Sequence, residues 1–465
     1  MHSVKDNLLR YSRDPKWLVL ILAGMGTFMA TLDVGIVTVA LPTLTKAFRI
    51  TPGTSQWFAL AYTFAITVLL LTFGKIGDLA GRKRVYAGGI LVFAAGSLVC
   101  GISLSAPMLI IARAFQGVGS AITMSAGPAL VTEAFPATER GKALGFTGMA
   151  VALGLLSGPL IGGAIVQCAN WRWMFFINVP VGLILATLLL TQVKGFDTKR
   201  DGNLDLTGAL LMALGLGSLL IGLTFGGKLG WSSSVVIGNF IASVVLVTAF
   251  IAVEKRVKHP VLDLELFRNR EFAVGAAAGW TNYASMMPVT VFTPFYLQNI
   301  LSYSPMKVGA TLAFGPITLA VMAPVAGCLS DRIGYRVLTS TGLLISALGI
   351  YSMRLLGPAS AWGDVVWRLA LTSFGSALFT SPNSSSIMGS VAKRDLGIAS
   401  GVVALMRNLG MVSGVAIAGA IITSISPQFT LHGLHSAFLA SAIIGLGGAA
   451  LSTIRVGTNP SKPES

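Results

Sequence analysis

Long apolar stretches, separated by short polar segments, run through the whole of this 465-residue chain. A run of about 20 apolar residues is long enough to cross the hydrocarbon core of a bilayer as a helix. The pattern therefore predicts an all-α polytopic membrane protein with fourteen transmembrane helices. The predicted spans cover residues 17–42, 54–77, 85–104, 107–131, 142–167, 173–193, 205–225, 234–254, 272–298, 306–329, 337–357, 364–391, 397–424 and 436–454.

Composition and the placement of charge support this prediction. Hydrophobic residues make up 54% of the chain and charged residues only 11%, whereas soluble proteins carry about 25% charged residues. The net charge of +16 comes mainly from Lys and Arg in alternate gaps between spans, starting with the N-terminal tail and the segment 82–84. The side of a membrane protein richer in Lys and Arg is cytoplasmic. We therefore expect a protein of the cell (inner or plasma) membrane with both termini in the cytoplasm, and no nucleic-acid partner.

The residues that usually hold metals or form disulfides are few and scattered. Cys100, Cys168 and Cys328 lie in or beside spans without metal-ligand spacing, and the four histidines fall in tails or loops. Metal sites need such ligands in sets at fixed spacing. No metal ion and no cofactor are therefore expected. The first span is too long for the apolar region of a signal peptide, so we expect it to be retained.

The two ends of the chain resemble each other. GKIGDLAGRKR at 74–84 recurs as GCLSDRIGYR at 327–336, and GLLSGPLIGGAI at 154–165 aligns with GMVSGVAIAGAI at 410–421. The nearly constant spacing of these matches indicates a duplication. The spacing between matching segments contains eight predicted helices, so a six-helix unit is followed by two extra helices and then by its copy. Because the number of intervening helices is even, the two copies have parallel orientation in the membrane. The predicted units are residues 1–194, a linker region 195–270 with helices 7 and 8, and residues 271–465.

Three charges lie deep in predicted spans: Asp33, Arg113 and Arg407. A charge there costs at least about 2.5–3.5 kcal/mol and usually faces the protein interior. At about 1.5 Å per residue, Asp33 and Arg113 lie about 13 Å and about 9 Å from the same side of the membrane. We predict that they pair, with Gln116 on the same face as Arg113, and that the pair binds a proton or a cationic substrate. A purely structural buried pair is the alternative.

Arg407 and a set of polar and aromatic residues are candidates for lining a substrate cavity. Arg407 aligns with Val151 in the repeat, which favours a local role, and contact with a loop or the membrane surface is an equal alternative. Met and aromatic side chains suit the binding of flat apolar ligands, although they are also common in membrane helices. The other candidates are Gln56, Trp57, Tyr62, Asn282, Tyr283, Met286 and Met287.

Four motifs in order identify a family resemblance. They are LDVGIVTVALP at 32–42, GKIGDLAGRKR at 74–84, LIIARAFQGVGSA at 109–121 and GLLSGPLIGG at 154–163. In these motifs the chain resembles the major facilitator superfamily, in its fourteen-helix drug:proton antiporter branch, and the resemblance covers nearly the whole chain. It implies the major facilitator fold of two six-helix bundles, here with two extra helices. Exporters of this branch often carry an acid in the first-helix motif, which points again to Asp33.

The resemblance also implies a gating role for the loop motif between helices 2 and 3. In the family, this motif forms a charge network that links neighbouring helices and holds the outward-facing state. Positive charge that only sets topology is the alternative. The copy has Tyr335 where the first loop has Arg82, so its network is expected to be degraded. The residues concerned are Gly74, Asp78, Gly81, Arg82 and Asp331.

Helix 5 carries glycines and a proline where membrane helices usually have larger side chains. Gly154, Gly158 and Gly162 recur every four residues, which allows a neighbouring helix to approach closely. Pro159 is expected to kink the helix, and Gly163 follows. The resemblance implies that this seam meets helix 10 and closes the cytoplasmic side. Ordinary small-residue packing is the alternative.

Together these features predict a proton-coupled secondary active efflux transporter that exports amphipathic, often cationic, drugs by alternating access. Its expected partners are small-molecule substrates, protons and the lipid bilayer, its energy source is the proton gradient, and its expected state is a monomer. A dedicated exporter of one endogenous metabolite, lipid or antibiotic is the alternative. An intramembrane enzyme or a channel is less favoured, because the sequence has no paired catalytic groups and no filter-like loop.

Overall fold

The computed structural model describes residues 15–136, 139–193, 205–257, 264–391, 396–426 and 429–455. This part of the chain is all-α and contains fourteen helices of 15 residues or more. Two short helices, Pro52–Ser55 and Trp173–Phe176, lead into the second and sixth of them. The long helices are α1 (Pro15–Phe48), α2 (Trp57–Ala80), α3 (Arg82–Gly101), α4 (Ala106–Ala134), α5 (Arg140–Cys168), α6 (Asn178–Gln192), α7 (Leu206–Leu229), α8 (Ser234–Glu254), α9 (Arg270–Asn299), α10 (Pro305–Ile333), α11 (Tyr335–Ser352), α12 (Trp362–Gly389), α13 (Leu396–Ile425) and α14 (Leu431–Thr453).

Twelve helices in the described residues are long and apolar enough to cross a membrane. This confirms the predicted multi-pass membrane protein. The other two long helices, α9 and α12, contain buried polar residues such as Asn282, Thr293 and Asn383. Polar side chains are tolerated in a membrane helix that other helices surround, and both helices pack against several others in the same half of the chain.

The internal repeat is visible in the helix packing. In the first half, α1 packs against α5, α2 and α3 pack against α4, and α3 packs against α6. The same pairs recur eight helices later, as α9 with α13, α10 and α11 with α12, and α11 with α14. Each half is therefore a six-helix bundle with the same internal arrangement, as the duplicated sequence predicts.

The turns between α2 and α3 and between α10 and α11 define one end of the molecule, called the basic end below. Each turn is a single glycine with positive φ, 99° at Gly81 and 83° at Gly334. The N–H groups of these glycines donate to the carbonyls of Gly77 and Ser330 and so end α2 and α10. A side chain is strained in this conformation, which explains why both copies of the loop keep the glycine.

The two bundles contact each other at the opposite end, called the far end below. Gln298 Nε2 on α9 donates to the carbonyl of Val39 on α1 at 3.1 Å. Gln167 Oε1 on α5 accepts from the backbone N–H of Met306 on α10, also at 3.1 Å. Apolar side chains of α1, α2, α9, α10, α13 and α14 form one continuous core in this region. The bundles are thus closed against each other at the far end.

The extra helices α7 and α8 pack against each other, and α7 also packs against α2 and α13. Helices α2 and α13 come from different bundles and contact each other. The α7 helix therefore covers one of the two lateral junctions between the bundles. At the other junction, α5 packs directly against α10.

Candidate functional site

Asp33 on α1 and Arg113 on α4 form an ion pair inside the first bundle. Both side chains are 1% exposed, and Arg113 Nη1 donates to Asp33 Oδ2. The pairing predicted from their depths is present. A buried charge is tolerated only when it is paired and hydrogen-bonded, so the remaining partners of both groups define the site.

Gln116 on α4 and Asn178 on α6 also donate to the carboxylate of Asp33, and Ser97 on α3 holds Gln116. Gln116 Nε2 donates to Asp33 Oδ1 at 3.0 Å and to Ser97 Oγ at 2.7 Å, while its Oε1 accepts from Arg113 Nη1 at 2.6 Å. Asn178 Nδ2, on α6, donates to Asp33 Oδ1 at 3.2 Å. Gln116 was predicted to take part. Ser97 and Asn178 were not, because neither carries a charge and their proximity depends on how α3 and α6 pack.

The guanidinium of Arg113 has partners besides Asp33. Its Nε donates to the carbonyl of Phe58 at 2.7 Å, and its Cζ lies 4.1 Å from the ring centre of Tyr62, a cation–π geometry. The Tyr62 hydroxyl donates to the carbonyl of Ala30 at 3.0 Å and is hydrogen-bonded to Ser120. Tyr62, predicted to line a cavity, is instead fully buried in this network.

The other candidate cavity residues divide between two cavities. Gln56 and Trp57 line a cavity of about 710 Å³ between α2, α7 and α13. Tyr283 and Arg407 line a smaller cavity of about 130 Å³ between α9, α12 and α13. Arg407 is half-buried there, so in this conformation its side chain lies along the cavity wall.

The three remaining candidates on α9 line neither of these cavities. Asn282 is completely buried and its Nδ2 donates to Ser376 Oγ on α12 at 3.1 Å. Met287 belongs to the apolar core between the bundles, and Met286 is half-buried. Asn282 and Met287 therefore contribute to helix packing in this conformation.

In the loop motif at the basic end, the side chain of Arg82 reaches across to α4. Its Nη1 donates to the carbonyl of Ala129 at 3.0 Å and lies 3.6 Å from Glu133 Oε2. Gly74 packs near Ser125 of the same helix. The loop thus links α3 to α4, as a network between neighbouring helices requires. The side chains of Asp78 and Asp331 lie outside the described part of the structure.

The glycine stripe of α5 packs against α1 and not against α10. A Cβ at Gly158 would lie 2.7 Å from the Cα of Gly35, and one at Gly162 would lie 2.8 Å from the Cα of Ile36. A Cβ at Gly154 would likewise meet the carbonyl oxygen of Phe28. The sequence correctly indicated a close helix contact, but the implied partner was wrong in this conformation, because helical spacing shows a face and not what covers it.

Contact with α10 is made by the adjacent face of α5, near the far end. A Cβ at Gly163 would lie 2.6 Å from the carbonyl oxygen of Pro305, and the Pro159 carbonyl lies against Gly309. The predicted junction of α5 with α10 therefore exists, through Pro159 and Gly163. It lies at the far end of the molecule, and the expected closure of the cytoplasmic side stays a prediction.

A second buried charge cluster, which the sequence analysis missed, lies at the basic end of the second bundle. Arg455 follows the last helix but is only 1% exposed; it bonds Asn383 Oδ1, and its Nη1 lies 3.9 Å from Glu271 Oε1. Ser386 Oγ donates to the same Glu271 oxygen at 2.6 Å. Burial lowers the pKa of Arg455, and Glu271 opposes this. Both charges lie at predicted helix ends, so the sequence suggested exposure.

Replacing Arg455 with Ala should lower the free energy of unfolding by about 3 kcal/mol, because Glu271 would lose its positive partner in a buried site. Unfolding of the purified protein in detergent by increasing SDS measures this. Arg268, which is exposed, provides the matched control, and Arg268→Ala should unfold as the wild type does. An Arg455→Ala protein as stable as this control would show that the cluster does not stabilise the bundle.

Two segments, residues 23–319 and 275–465, match the Major Facilitator Superfamily. The riboflavin transporter RibZ of Clostridioides difficile is 34% identical over 402 residues, which cover 86% of this chain and 87% of the transporter. The multidrug resistance protein Stp of Mycobacterium tuberculosis is 32% identical over 408 residues, covering 88% and 76%.

A solved structure shows the same fold. It is a bacterial homologue of the human lysosomal transporter Spinster, in an inward-facing and unoccupied conformation. The TM-score is 0.68, with 15% sequence identity, and the match covers 95% of this chain and 97% of that chain. At this sequence identity, the structural similarity supports a shared fold only.

Proposed function

Because the chain belongs to the major facilitator superfamily and is a multi-pass membrane transporter, we propose that it is a proton-coupled antiporter that exports amphipathic, often cationic, compounds. The observation that carries the proposal is the buried Asp33–Arg113 pair, with its shell of amide and aromatic partners. An ionisable residue at membrane depth marks a substrate or ion pathway by default. The relative named for multidrug resistance supports the substrate class.

The network suits a reversible change of protonation at Asp33. When the carboxylate gains a proton, the guanidinium of Arg113 loses its negative partner but keeps the Phe58 carbonyl, the Gln116 amide oxygen and the Tyr62 ring. Arg113 therefore loses its countercharge but keeps hydrogen-bond and cation–π partners in the protonated state. Because Asp33 and Arg113 are sealed from solvent in this conformation, proton exchange requires a second conformation that opens the site. This requirement links protonation to alternating access.

We further propose that all fourteen long helices span the membrane, in units of residues 1–194, 195–270 and 271–465, and that the transporter works as a monomer. The helices α9 and α12 have 30 and 28 residues and are long enough to cross. The proton gradient supplies the energy, without a cofactor. The basic end faces the cytoplasm of a cell (inner or plasma) membrane and carries both termini.

Transport by purified protein in liposomes tests the function. With an acidic lumen, the lipophilic cation tetraphenylphosphonium should accumulate inside as protons leave, and nigericin, which collapses the pH gradient, should abolish the accumulation. Protein-free liposomes with the same gradient are the control. If no cation in a panel of amphipathic drugs moves with the pH gradient, the proposed antiport is wrong.

A dedicated exporter of one metabolite is the second candidate, and the similarity to a riboflavin transporter supports it. The same liposomes distinguish the two. A broad exporter transports several unrelated cations that compete with one another. A dedicated exporter transports one compound, such as riboflavin, and the cations neither move nor compete.

Cysteine labelling tests the orientation. In a background with Cys168 and Cys328 replaced by Ser, cysteines at Ser232 and His432, at the far end, should react with a membrane-impermeant maleimide on intact cells. A cysteine at Arg268, at the basic end, should react only after permeabilisation. The reverse labelling pattern would place the basic end outside the cell.

A further inference from the structure

The cavity of about 710 Å³ is separate from the Asp33 network, although the two share a wall. Trp57, Leu60 and Phe64 on one face of α2 line the cavity. Phe58 and Tyr62, on another face of the same helix, contact Arg113. The cavity therefore lies on the side of α2 that faces away from the ion pair, toward α7 and α13.

The extra helix α7 supplies one complete wall of this cavity. Gly217, Leu220, Ile221, Thr224 and Phe225 all line it, and their spacing places them on a single face of the helix. Residue 217 is a glycine where α7 passes close to α2, since a Cβ there would lie 3.3 Å from the Phe64 ring. The α7 helix therefore forms a wall of the cavity in addition to covering the junction between the bundles.

Two buried polar groups in the cavity wall have no hydrogen-bond partner among the described residues. They are the side-chain amide oxygen of Gln56, which is 1% exposed, and the hydroxyl of Thr224, which is 7% exposed. A buried polar atom without a partner is costly and usually marks a missing ligand or water. Gln56 immediately precedes α2 and Thr224 lies on α7, so two walls of the cavity each contribute one unpartnered acceptor for a ligand's donor.

The rest of the lining defines the chemistry of that molecule. The aromatic rings of Trp57 and Phe225 lie 5.9 Å apart, and Phe64 adds a third. Among the described residues, the lining contains no charged side chain. The volume is that of a site for a drug-sized ligand. This environment fits a neutral, largely aromatic molecule, because no acidic side chain among the described lining residues offers a countercharge to a cation.

We propose that α2, α7 and α13 form a second binding site, distinct from the Asp33 network, for a neutral aromatic amphiphile with at least one N–H or O–H donor. The ligand's rings lie against Trp57 and Phe225, and its donor is bonded to Gln56 Oε1 or Thr224 Oγ1. The site gives α7 a function that ordinary packing does not require. It does not depend on proton coupling, so it stands or falls separately from the proposed antiport.

Binding of radiolabelled N-phenyl-1-naphthylamine, a neutral aromatic amine with one N–H, tests the site. Scintillation proximity on the full-length protein in lipid nanodiscs, corrected with empty nanodiscs, should show saturable binding. Gln56→Leu or Thr224→Val, whichever removes the acceptor of the probe's single N–H, should weaken it roughly threefold to tenfold, as expected for one lost hydrogen bond. Neither should lower thermal stability, because Gln56 Oε1 and Thr224 Oγ1 have no hydrogen-bond partner among the described residues.

Matched variants separate this site from general effects. Thr293→Val removes another buried hydroxyl without a partner among the described residues, outside the cavity lining, and should leave binding unchanged. Ile221→Trp, which fills the cavity, should abolish saturable binding, whereas Ile241→Trp on the exposed face of α8 should not.

Three results would overturn the proposal. They are saturable binding that survives Ile221→Trp, equal affinity in the Gln56, Thr224 and Thr293 variants, and saturable binding that appears only after bound lipid has been removed. The last would mean that a lipid chain, and not an aromatic amphiphile, occupies the cavity. Loss of pH-driven transport with intact probe binding would contradict only the antiport.

Discussion

Asp33→Asn is expected to abolish pH-driven accumulation of tetraphenylphosphonium in liposomes, down to the level of protein-free vesicles. The variant can neither carry a proton at this position nor offer a negative charge to a cation. Its amide oxygen can still accept a hydrogen bond from Arg113, while its NH2 group replaces the acceptor of Gln116 and Asn178. Glu139→Gln is the matched control, because Glu139 in the same bundle forms a half-buried ion pair with Lys16 at 3.0 Å, away from the Asp33 network, and it should transport normally.

Breaking a buried pair also leaves Arg113 as an uncompensated charge, which costs about 3–5 kcal/mol and can reduce the yield of folded protein. The double variant Asp33→Asn/Arg113→Gln removes both charges and should restore stability. If the pair is only structural, this folded double variant will transport at the wild-type rate. If Asp33 couples transport to protons, the variant will remain inactive in spite of its stability. The comparison distinguishes a structural role from a coupling role.

Gly158→Leu is expected to prevent stable assembly of the first bundle and therefore to abolish transport. The backbones of α1 and α5 meet at this position, where the added Cβ would lie 2.7 Å from the Cα of Gly35. Backbone atoms cannot move aside as a flexible side chain can, so we expect a loss of about 3 kcal/mol or more. Fluorescence-detected gel filtration and thermal unfolding measure the effect. Gly148→Leu is the control on the same helix, since no atom of the described residues lies within 4 Å of a Cβ there.

Gly163→Leu should behave differently from Gly158→Leu. Its side chain would meet Pro305 on α10 at the junction of the bundles, so it should leave each bundle folded and disfavour closure at the far end. Increased maleimide labelling of a cysteine at Gln298 would report that opening. A Gly158→Leu protein with wild-type stability would show that the α1–α5 contact tolerates a side chain and that the stripe has another purpose.

Candidate residues with charge or a strong backbone preference were predictable from the sequence. Asp33 and Arg113 stood out because a charge at membrane depth is rare, and their pairing followed from depth alone. Gly81 and Gly334 stood out because both copies of the loop keep them. Asn178 was not predictable, because a neutral amide at a helix start is common and its proximity to Asp33 depends on how α6 packs.

The packing partner of a helix face and the burial of residues at helix ends could be identified only from the structure. The spacing of Gly154, Gly158 and Gly162 indicated a close contact, but a helix face can meet any neighbour, and here the neighbour is α1. Arg455 and Glu271 lie at the ends of two predicted spans, where the sequence suggests exposure. They are buried because the end of α14 folds against α9 and α12, a contact between segments far apart in the chain.

The sequence by itself determined the helical membrane architecture, the duplicated six-helix units and the acid–base pair of the first bundle. Each of these follows from hydropathy, repetition or the cost of burying charge, all of which are local properties of the chain. Only the tertiary structure decided that the bundles close at the far end and that α7 encloses an uncharged aromatic cavity with α2 and α13. These features depend on which helix faces meet across long separations, and helical periodicity defines a face without identifying its partner.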